Sequence, residues 1–444
     1  MNIVMVTNTY TPHVGGVARS IEAFTSEYRR RGHRVLVVAP EFPGTSTTET
    51  DVVRVPAIQN FNGSDFSVAL PVSGLLHDAL QTFTPHIIHS HHPYLLGMTA
   101  LRVARYYRLP LVFTHHTRYE EYTHYVPLDS PKLKRFVIEL ATRYCNLCDQ
   151  VFAPSKSILS LLEERGVTTP VTVVPTGVQV ESFSRGDGPG VRDNMGIPRD
   201  AFLVGHVSRL APEKNQRFLA EAVAAFLETV PPAHFLVAGK GPSEADIRAV
   251  FDRQGLSDRL HLAGILDHRQ LADAYHAMDV FAFASKSETQ GMVITEAMAA
   301  GLPVVALEAP GVEDVVQDRY NGRLLRDESV KTFSRALAWI RDLEPNRLQA
   351  LRRAALQTAG EFSMQSTAAK ALERYQTLLS EALTSKTEED AAWERVLNLI
   401  KVQWEITKGL TEAAGAALRS GEPPIAEGWQ DRRHHKTKKE SGYY

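Results

Sequence analysis

Short runs of apolar, often β-branched residues alternate with longer amphipathic stretches over most of the chain. Strands that are apolar throughout are typical of parallel sheets covered by helices on both faces, as βαβ units build them. The pattern therefore predicts an α/β fold with two doubly wound domains of similar size. The predicted strands are residues 3–6, 35–39, 87–89, 111–114, 151–153 and 171–174, followed by 203–207, 234–238, 260–263, 280–284 and 303–306.

A stretch rich in Gly, Asp and Pro at residues 184–198 predicts the linker between the two domains. We expect an N-terminal Rossmann-like domain over residues 1–183 and a C-terminal Rossmann-like domain over 184–361. A helix over 362–380 is expected to return toward the first domain. Residues 381–444 are predicted to form a helical extension, with an amphipathic helix at 391–418 and a basic tail. For that tail, both a solvated end and weak contact with anionic lipid or nucleic acid remain open.

The charge balance excludes a global attraction to polyanions. The 444 residues contain 49 Lys and Arg against 51 Asp and Glu, a formal net charge of −2, so no nucleic-acid partner is expected. The chain shows neither a basic export signal at residue 1 nor a run of about 20 apolar residues. Only Cys145 and Cys148 are present, in C-x-x-C spacing and without further zinc ligands, so we expect structural thiols. So few cysteines suit a reducing compartment, and we expect a protein of the cytoplasm, either free there or at the inner face of the membrane.

The clearest chemical constellation follows the predicted strand 280–284. Glu288 and Glu296 flank Gly291, and a helix is predicted to begin just after this glycine. Amides at a helix N-terminus favour phosphate, and Glu296 is placed to accept hydrogen bonds from a ribose diol. A solvated Glu288 and an ordinary first-turn Glu296 are the plain structural alternative.

Two further loops suited to phosphate follow neighbouring predicted strands. Arg209 and Lys214 flank a proline-containing turn after strand 203–207, so both cations are able to reach one diphosphate. Gly239 and Gly241 follow the next strand and would allow close backbone approach. In the N-terminal half, Gly15 and Gly16 fit either backbone contact with a phosphate or sugar or a plain turn. They do not form G-x-G-x-x-G, which disfavours a Rossmann dehydrogenase.

Histidines cluster after two predicted strands of the N-terminal half, at residues 89–92 and 115–116. No carboxylate accompanies them at metal-ligand spacing, so a hydrogen-bonding role at a substrate is favoured over a metal site. The chain also lacks D-x-D, the usual sign of a nucleotide-sugar enzyme that needs a divalent cation. No metal and no cofactor are therefore expected.

At these residues the sequence resembles the retaining, family-four glycosyltransferases of GT-B architecture, in which two Rossmann-like domains face each other across a cleft. The resemblance spans about residues 1–379. It rests on the E-x7-E pair, on R-L-x-x-E-K-N at 209–215, on the early double glycine and on the run from Glu296 to residue 305. Ser208 stands where the family often has glycine.

The resemblance implies a nucleotide-diphospho-sugar donor bound mainly by the domain over 184–361, the nucleotide-sugar-binding domain, and an acceptor bound mainly by the domain over 1–183, the acceptor-binding domain. It also assigns a role to each residue. Arg209 and Lys214 would stabilise the leaving diphosphate, Glu288 would hold the transferred sugar, Glu296 the ribose, and His116 would lie beside the anomeric carbon. The implied catalytic residues are His116, Glu288, Arg209 and Lys214. The implied donor-binding residues are Gly15, Gly16, Arg209, Lys214, Gly239, Gly241, Ile265, Glu288, Gly291, Met292, Val293 and Glu296.

The acceptor is expected to be a hydroxyl, either on a lipid or on a carbohydrate. Residues 88–97 and 114–127 are similar to bacterial enzymes that glycosylate diacylglycerol, so the resemblance favours UDP-glucose as donor and a membrane lipid as acceptor. Lys132, Lys134 and Arg135 beside apolar residues suggest peripheral membrane contact, although a solvated helix edge has the same pattern. A soluble glycosyltransferase for polysaccharides or small glycosides, a nucleotide-sugar epimerase, a non-catalytic binding module and a phosphorylase remain as alternatives.

Overall fold

A computed structural model describes residues 1–12, 15–42, 49–58, 68–69, 74–121, 130–286 and 288–384. The chain forms two compact units. Among the described residues, the first unit comprises Met1–Ala153, Leu159–Val173 and the chain from Arg374 to residue 384, and the second comprises Pro154–Ile158 and Val174–Glu373.

The first unit is built on a seven-stranded parallel sheet with helices around it. Its elements are β1 (Asn2–Val6), α1 (Gly16–Arg30), β2 (Arg34–Pro40), β3 (Val52–Val55), the antiparallel pair β4 (Ala57–Ile58) and β5 (Val68–Ala69), α2 (Gly74–Phe83), β6 (Ile87–Ser90), α3 (Leu96–Tyr107), β7 (Leu111–Thr114), α4 (Pro131–Asn146), β8 (Gln150–Ala153), α5 (Lys156–Glu164) and β9 (Val171–Val173). The strand order is β3-β2-β1-β6-β7-β8-β9.

The second unit contains a six-stranded parallel sheet. Its elements are α6 (Val180–Phe183), α7 (Gly188–Met195), β10 (Phe202–Val207), α8 (Gln216–Thr229), β11 (Ala233–Ala238), α9 (Glu244–Arg253), β12 (Leu260–Gly264), α10 (His268–Ala277), β13 (Val280–Phe283), α11 (Met292–Ala299), β14 (Val304–Leu307), β15 (Gly322–Leu325), α12 (Val330–Arg341), α13 (Pro345–Glu361) and α14 (Met364–Thr384). The strand order is β12-β11-β10-β13-β14-β15.

Each sheet has one point where the chain reverses its direction across the sheet. In the first sheet this point lies between β1 and β6, and in the second it lies between β10 and β13. Loops leaving two such strands diverge to opposite faces and open a crevice at the carboxyl edge, where doubly wound folds bind ligands. The α/β fold class predicted from the apolar runs is therefore confirmed, and the two reversal points indicate where function belongs.

The core of the second unit shows why these apolar runs form central strands. Leu203 and Phe281 face one buried apolar cluster, whereas Val204 and Val280 face another on the opposite side of the sheet. Successive side chains of a strand point to opposite faces, so a strand buried on both sides must be apolar at every position.

Helix α14 starts in the second unit and continues into the first. Its residue Tyr375 is fully buried, and the Tyr375 hydroxyl lies 2.5 Å from Nδ1 of His89 and 3.4 Å from the hydroxyl of Tyr28. The predicted helix over 362–380 is thus present with slightly later bounds. The predicted helix at 391–418 and the basic tail lie outside the described residues.

The stretch 184–198, predicted as the linker, contains helix α7. The Asp187 side chain caps it by accepting a hydrogen bond from the Gly190 amide at 2.9 Å, and Gly196 ends it at φ 67°. The Gly, Asp and Pro that suggest a loop are the residues that cap a short helix.

The cysteines are both buried and form no disulfide. Burial raises the pKa of the Cys145 thiol to about 12 and that of Cys148 well above its usual value. A thiol that keeps its proton is a poor nucleophile and a poor metal ligand, which favours the structural role expected for this pair. Of the helices described, none combines the length and apolar character needed to span a membrane.

Candidate active site

Three loops of the second unit leave the carboxyl ends of adjacent strands around the reversal point. Residues 208–215 follow β10 and include a short 3-10 helix, Pro212–Lys214. Residues 239–243 follow β11, and residues 284–291 follow β13 and lead into α11. Ile265, just beyond β12, is 73% exposed, which is unusual for an isoleucine and leaves an apolar surface at this edge.

Lys214 and Glu288 meet across the reversal point. The Lys214 Nζ lies 2.6 Å from Oε1 of Glu288, and each side chain is only 15% exposed. One loop thus supplies a cation and the other supplies a carboxylate at one place. Such a pair offers a phosphate its positive charge and a sugar hydroxyl its acceptor oxygen.

Arg209 lies at the start of the same turn as Lys214. Its guanidinium is about half exposed and pairs with Glu213 at 2.5 Å. Because about half of the guanidinium surface is exposed while Glu213 is only 12% exposed, the exposed side of Arg209 is the side that a phosphate would contact. The arrangement keeps the guanidinium near the loop and available to an anion.

Glu296 lies on α11 and is almost completely buried. The Tyr275 hydroxyl donates a hydrogen bond to Glu296 Oε2 at 3.0 Å and lies 3.3 Å from the carbonyl oxygen of Val293. Tyr275 therefore holds the carboxylate against the first turn of α11. Nothing in the spacing of the sequence indicated this tyrosine.

Gly291 precedes α11 with φ 74°, a conformation that side-chain-bearing residues rarely adopt. No side chain caps the helix, so the amides of Met292 and Val293 belong to the first-turn N–H groups that lack partners within the helix. The loop before it is fixed by Gln290, whose amide accepts from the Thr176 amide at 2.6 Å and donates to the Thr176 carbonyl at 2.5 Å. These contacts orient the N-terminus of α11.

Gly239 and Gly241 allow a close approach between two loops of the protein. Gly239 has a φ of 136°, and a Cβ on it would lie 1.8 Å from the carbonyl oxygen of Ser208. Gly241 has a φ of 155°, and a Cβ on it would lie 2.2 Å from the carbonyl oxygen of Leu210. The Leu210 amide also donates to the Lys240 carbonyl at 3.0 Å. The loop after β11 therefore supports the turn that carries Arg209.

In the first unit, the loop after β1 leads into α1 through Gly15 and Gly16. Gly15 is extended, and a Cβ placed on Gly16 would have no heavy atom of the described residues within 4 Å, apart from its own helix backbone and chain neighbours. Packing within the described part of the chain therefore does not account for glycine at position 16.

The histidines after β6 and β7 form a connected, buried cluster. The His91 Nδ1 lies 2.8 Å from the His116 Nε2, with the rings stacked at 5.1 Å, while the His91 Nε2 lies 3.4 Å from the sulfur of Met5. Burial lowers the pKa of both histidines well below the usual value, so both are neutral at pH 7. The thioether only accepts, so His91 carries its proton on Nε2 and accepts at Nδ1 from the Nε2–H of His116. His116 then presents an unprotonated Nδ1.

The described residues contain no group of three or more His, Cys, Asp or Glu side chains placed to hold a metal ion.

The sequence analysis did not predict a set of polar residues that lie beneath the site. The buried His206 and Gln216 and the half-buried Ser208 contact one another next to the Arg209 turn. A buried-strand histidine in an apolar run is the only signal that could have revealed them.

Comparison with known proteins identifies the family. Residues 14–182 match the family described as Glycosyltransferase Family 4, and residues 191–358 match the one described as Glycosyl transferases group 1. The D-inositol 3-phosphate glycosyltransferase of Kribbella flavida is 30% identical over 307 residues, which cover 66% of this chain and 71% of that protein. The chain is a family 4 glycosyltransferase.

One further relative and one solved structure are similar to this chain. The alpha-monoglucosyldiacylglycerol synthase of Streptococcus pneumoniae is 28% identical over 337 residues, covering 74% of this chain and 76% of that protein. Among solved structures, Anabaena HepE in complex with UDP superposes with a TM-score of 0.68 at 21% identity, covering 85% of this chain and 100% of HepE. The predicted family is confirmed, and this glycosyltransferase is accordingly an enzyme that transfers sugar.

Proposed function

We propose that this glycosyltransferase moves a glucosyl group from UDP-glucose to a hydroxyl of a membrane lipid such as diacylglycerol, with retention of anomeric configuration. The observation that carries the proposal is the contact of Lys214 with Glu288, a cation and a carboxylate from the two loops that flank the reversal point of the second sheet. The proposed donor base and sugar follow two similar proteins, HepE in its complex with UDP and the pneumococcal alpha-monoglucosyldiacylglycerol synthase.

The chemistry follows from where charge develops. When the bond from the anomeric carbon to the phosphate oxygen breaks, the diphosphate gains negative charge and the sugar ring becomes positive. Arg209, Lys214 and the first-turn amides of α11 would stabilise the departing diphosphate. These fixed groups supply the positive charge that divalent cations supply in other enzymes, so we propose a reaction that needs no metal.

The acceptor oxygen then forms its bond to the anomeric carbon on the face that the diphosphate leaves. Its proton passes to a phosphate oxygen of the leaving group, which balances the charge on both products. Glu288 is assigned to the sugar hydroxyls, and its contact with Lys214 keeps its Oε1 engaged by a cation. We therefore do not assign Glu288 as a nucleophile of the glycosidase type.

His116 is assigned beside the anomeric carbon. Its low pKa keeps the imidazole neutral at pH 7, so it adds no cation next to the positive sugar ring. Its Nε2 lies 2.8 Å from the His91 Nδ1, a contact that holds the imidazole ring in place. Gly16, whose Cβ position is open, is assigned to close contact with the donor phosphates.

The lipid acceptor is supported by the pneumococcal relative and by helix α4. Lys132, Lys134 and Arg135 lie in the first turns of this helix, beside apolar residues such as Phe136. Cations next to apolar side chains suit the surface of an anionic membrane. A peripheral contact of this kind would bring the site to its lipid substrate.

The test uses the full chain, UDP-glucose labelled in the glucose, and vesicles of phosphatidylglycerol with or without diacylglycerol. We expect a chloroform-soluble labelled product only when diacylglycerol is present, an α-anomeric proton in its NMR spectrum, and full activity in excess EDTA. Transfer only to soluble glycosides would contradict the lipid assignment, and isomerisation of the donor alone would indicate an epimerase. Loss in EDTA with rescue by Mg²⁺ would overturn the metal-free mechanism.

A further inference from the structure

We propose that His206, Ser208 and Gln216 form a clasp that positions the phosphate turn, residues 209–214, for catalysis. The inference rests on the proposed function, because it assigns these three side chains to the alignment of Arg209 and Lys214. None of the three is proposed to touch the substrate. They would act by fixing both ends of the phosphate turn to the sheet beneath it.

The clasp is anchored in the sheet by His206. This residue is the fifth of the six residues of β10 and is fully buried. Its Nδ1 lies 2.9 Å from the carbonyl oxygen of Ala282 on the neighbouring strand β13. A carbonyl only accepts, so Nδ1 carries the proton of the neutral ring and Nε2 is left as an acceptor.

The two ends of the phosphate turn meet at this acceptor. Gln216, the first residue of α8, directs its side-chain amide to His206 Nε2 at 3.0 Å and to Ser208 Oγ at 2.8 Å. Ser208 Oγ lies 2.9 Å from both His206 Nε2 and the carbonyl oxygen of Arg209. The residue just before Arg209 and the residue two positions after Lys214 are thus tied to each other and to β13.

The hydrogen bond to β13 also links the clasp to the loop that follows β13. The loop after β13 carries Glu288, the partner of Lys214. A rigid link from the phosphate turn to β13 therefore fixes the phosphate turn, which carries Lys214, relative to the loop that carries Glu288. Displacement of catalytic groups by about 1 Å is enough to reduce rates about a hundredfold.

The clasp requires a neutral histidine. Burial lowers the pKa of His206 to about 4, although the nearby Glu288 raises it and Lys214 lowers it further. The ring therefore stays an acceptor for the Gln216 amide at pH 7. A buried polar network stabilises a fold only when each member has a hydrogen-bond partner in place of the water it has lost. Here each polar atom named has such a partner.

The experiment compares Ser208→Ala and Gln216→Met with wild type. Ser208→Thr is the conservative variant that keeps the hydroxyl, and Arg217→Met is the matched control, because Arg217 is the next residue of α8 and is largely exposed. For each protein we would measure kcat with UDP-glucose at saturating acceptor, the dissociation constants of UDP and of uridine, and the melting temperature.

We expect Ser208→Ala and Gln216→Met to lower kcat by about tenfold or more and to weaken UDP binding, while uridine binding stays unchanged. Ser208→Thr and Arg217→Met should behave as wild type. The contrast between UDP and uridine isolates the diphosphate, which a general loss of structure would not do.

Two results would overturn the inference alone, provided that Lys214→Ala lowers turnover by orders of magnitude. One is wild-type kcat and UDP affinity in both clasp variants. The other is an equal loss of UDP and uridine affinity together with a lower melting temperature, which would indicate a purely structural role. If Lys214→Ala itself keeps wild-type turnover, the proposed function of the site fails, and the inference fails with it.

Discussion

At the scale of residues, the site depends on contacts between side chains that are distant in sequence. Lys214 and Glu288 are separated by 74 positions, and Glu296 is held by Tyr275 rather than by a neighbour in its own motif. The motifs predicted Lys214, Glu288 and Glu296 as members of one site. They could not predict Tyr275, because a tyrosine in an amphipathic helix has the same pattern as any core residue.

Replacement of Glu296 tests its assignment to the ribose. We expect Glu296→Ala to lower kcat/KM for UDP-glucose by about a hundredfold or more, because two hydrogen bonds to a charged carboxylate are each worth about 1.5–3 kcal/mol. Steady-state kinetics with varied donor measure the change.

Tyr275→Phe is the control for Glu296→Ala, since it removes the hydroxyl that orients Glu296 but keeps the carboxylate. It should cost much less than Glu296→Ala. Equal kinetic losses in the two variants, or a wild-type donor KM in Glu296→Ala, would argue against a ribose contact.

At the scale of elements, apolar runs predicted strands well where they were long and central. β1, β7 and β10 lie within a residue or so of their predicted bounds. β3 and β15 escaped prediction because each is a short edge strand that contains an arginine, so its pattern is not continuously apolar. Helix α7 escaped because its capping Asp, Pro and Gly are also loop residues.

Gly241 and Gly16 both lie in loops predicted to contact phosphate, but their replacement by alanine should change the stability of the fold differently. Gly241→Ala places a Cβ 2.2 Å from the Leu210 carbonyl at a φ of 155°, so we expect the free energy of unfolding to fall by about 2 kcal/mol or more. Gly16→Ala meets no internal obstacle and should keep the wild-type melting temperature.

Activity separates the two glycines further. Gly16→Ala should nevertheless lose most transfer activity, since its Cβ would occupy space assigned to the donor phosphates. Thermal melting and transfer assays of the two variants check both parts. A fully active Gly16→Ala would contradict the contact assigned to that glycine.

At the scale of the whole molecule, the many buried neutral histidines make stability depend on pH. Burial lowers the pKa of His89 and His92 to about 3 and of His115 to about 4, and it lowers those of His91 and His116 well below 6.5. Unfolded histidines titrate near about 6.5, so below that pH the unfolded chain binds more protons than the folded chain. Stability is therefore full above about pH 6.5 and is lost as the pH falls toward the folded-state values.

The expected slope is about 1.4 kcal/mol per pH unit for each such histidine. Urea denaturation between pH 7.5 and 5 measures it. His92→Asn removes one titrating imidazole, so it should reduce the slope by about one histidine's share. The asparagine oxygen should still accept the hydrogen bond from the Asn8 amide, which His92 Nδ1 accepts at 3.1 Å. A stability that is flat down to pH 5 would show that these histidines are not buried as described.

The turnover of Lys214→Ala with UDP-glucose and diacylglycerol vesicles tests most directly whether the loops at the second reversal point stabilise a departing diphosphate. Arg217→Ala serves as the control that removes a nearby, exposed cation. The account predicts that Lys214→Ala lowers kcat by about 10²–10³-fold with an unchanged circular dichroism spectrum, while Arg217→Ala keeps its rate. A Lys214→Ala enzyme that folds and transfers glucose at the wild-type rate would contradict it.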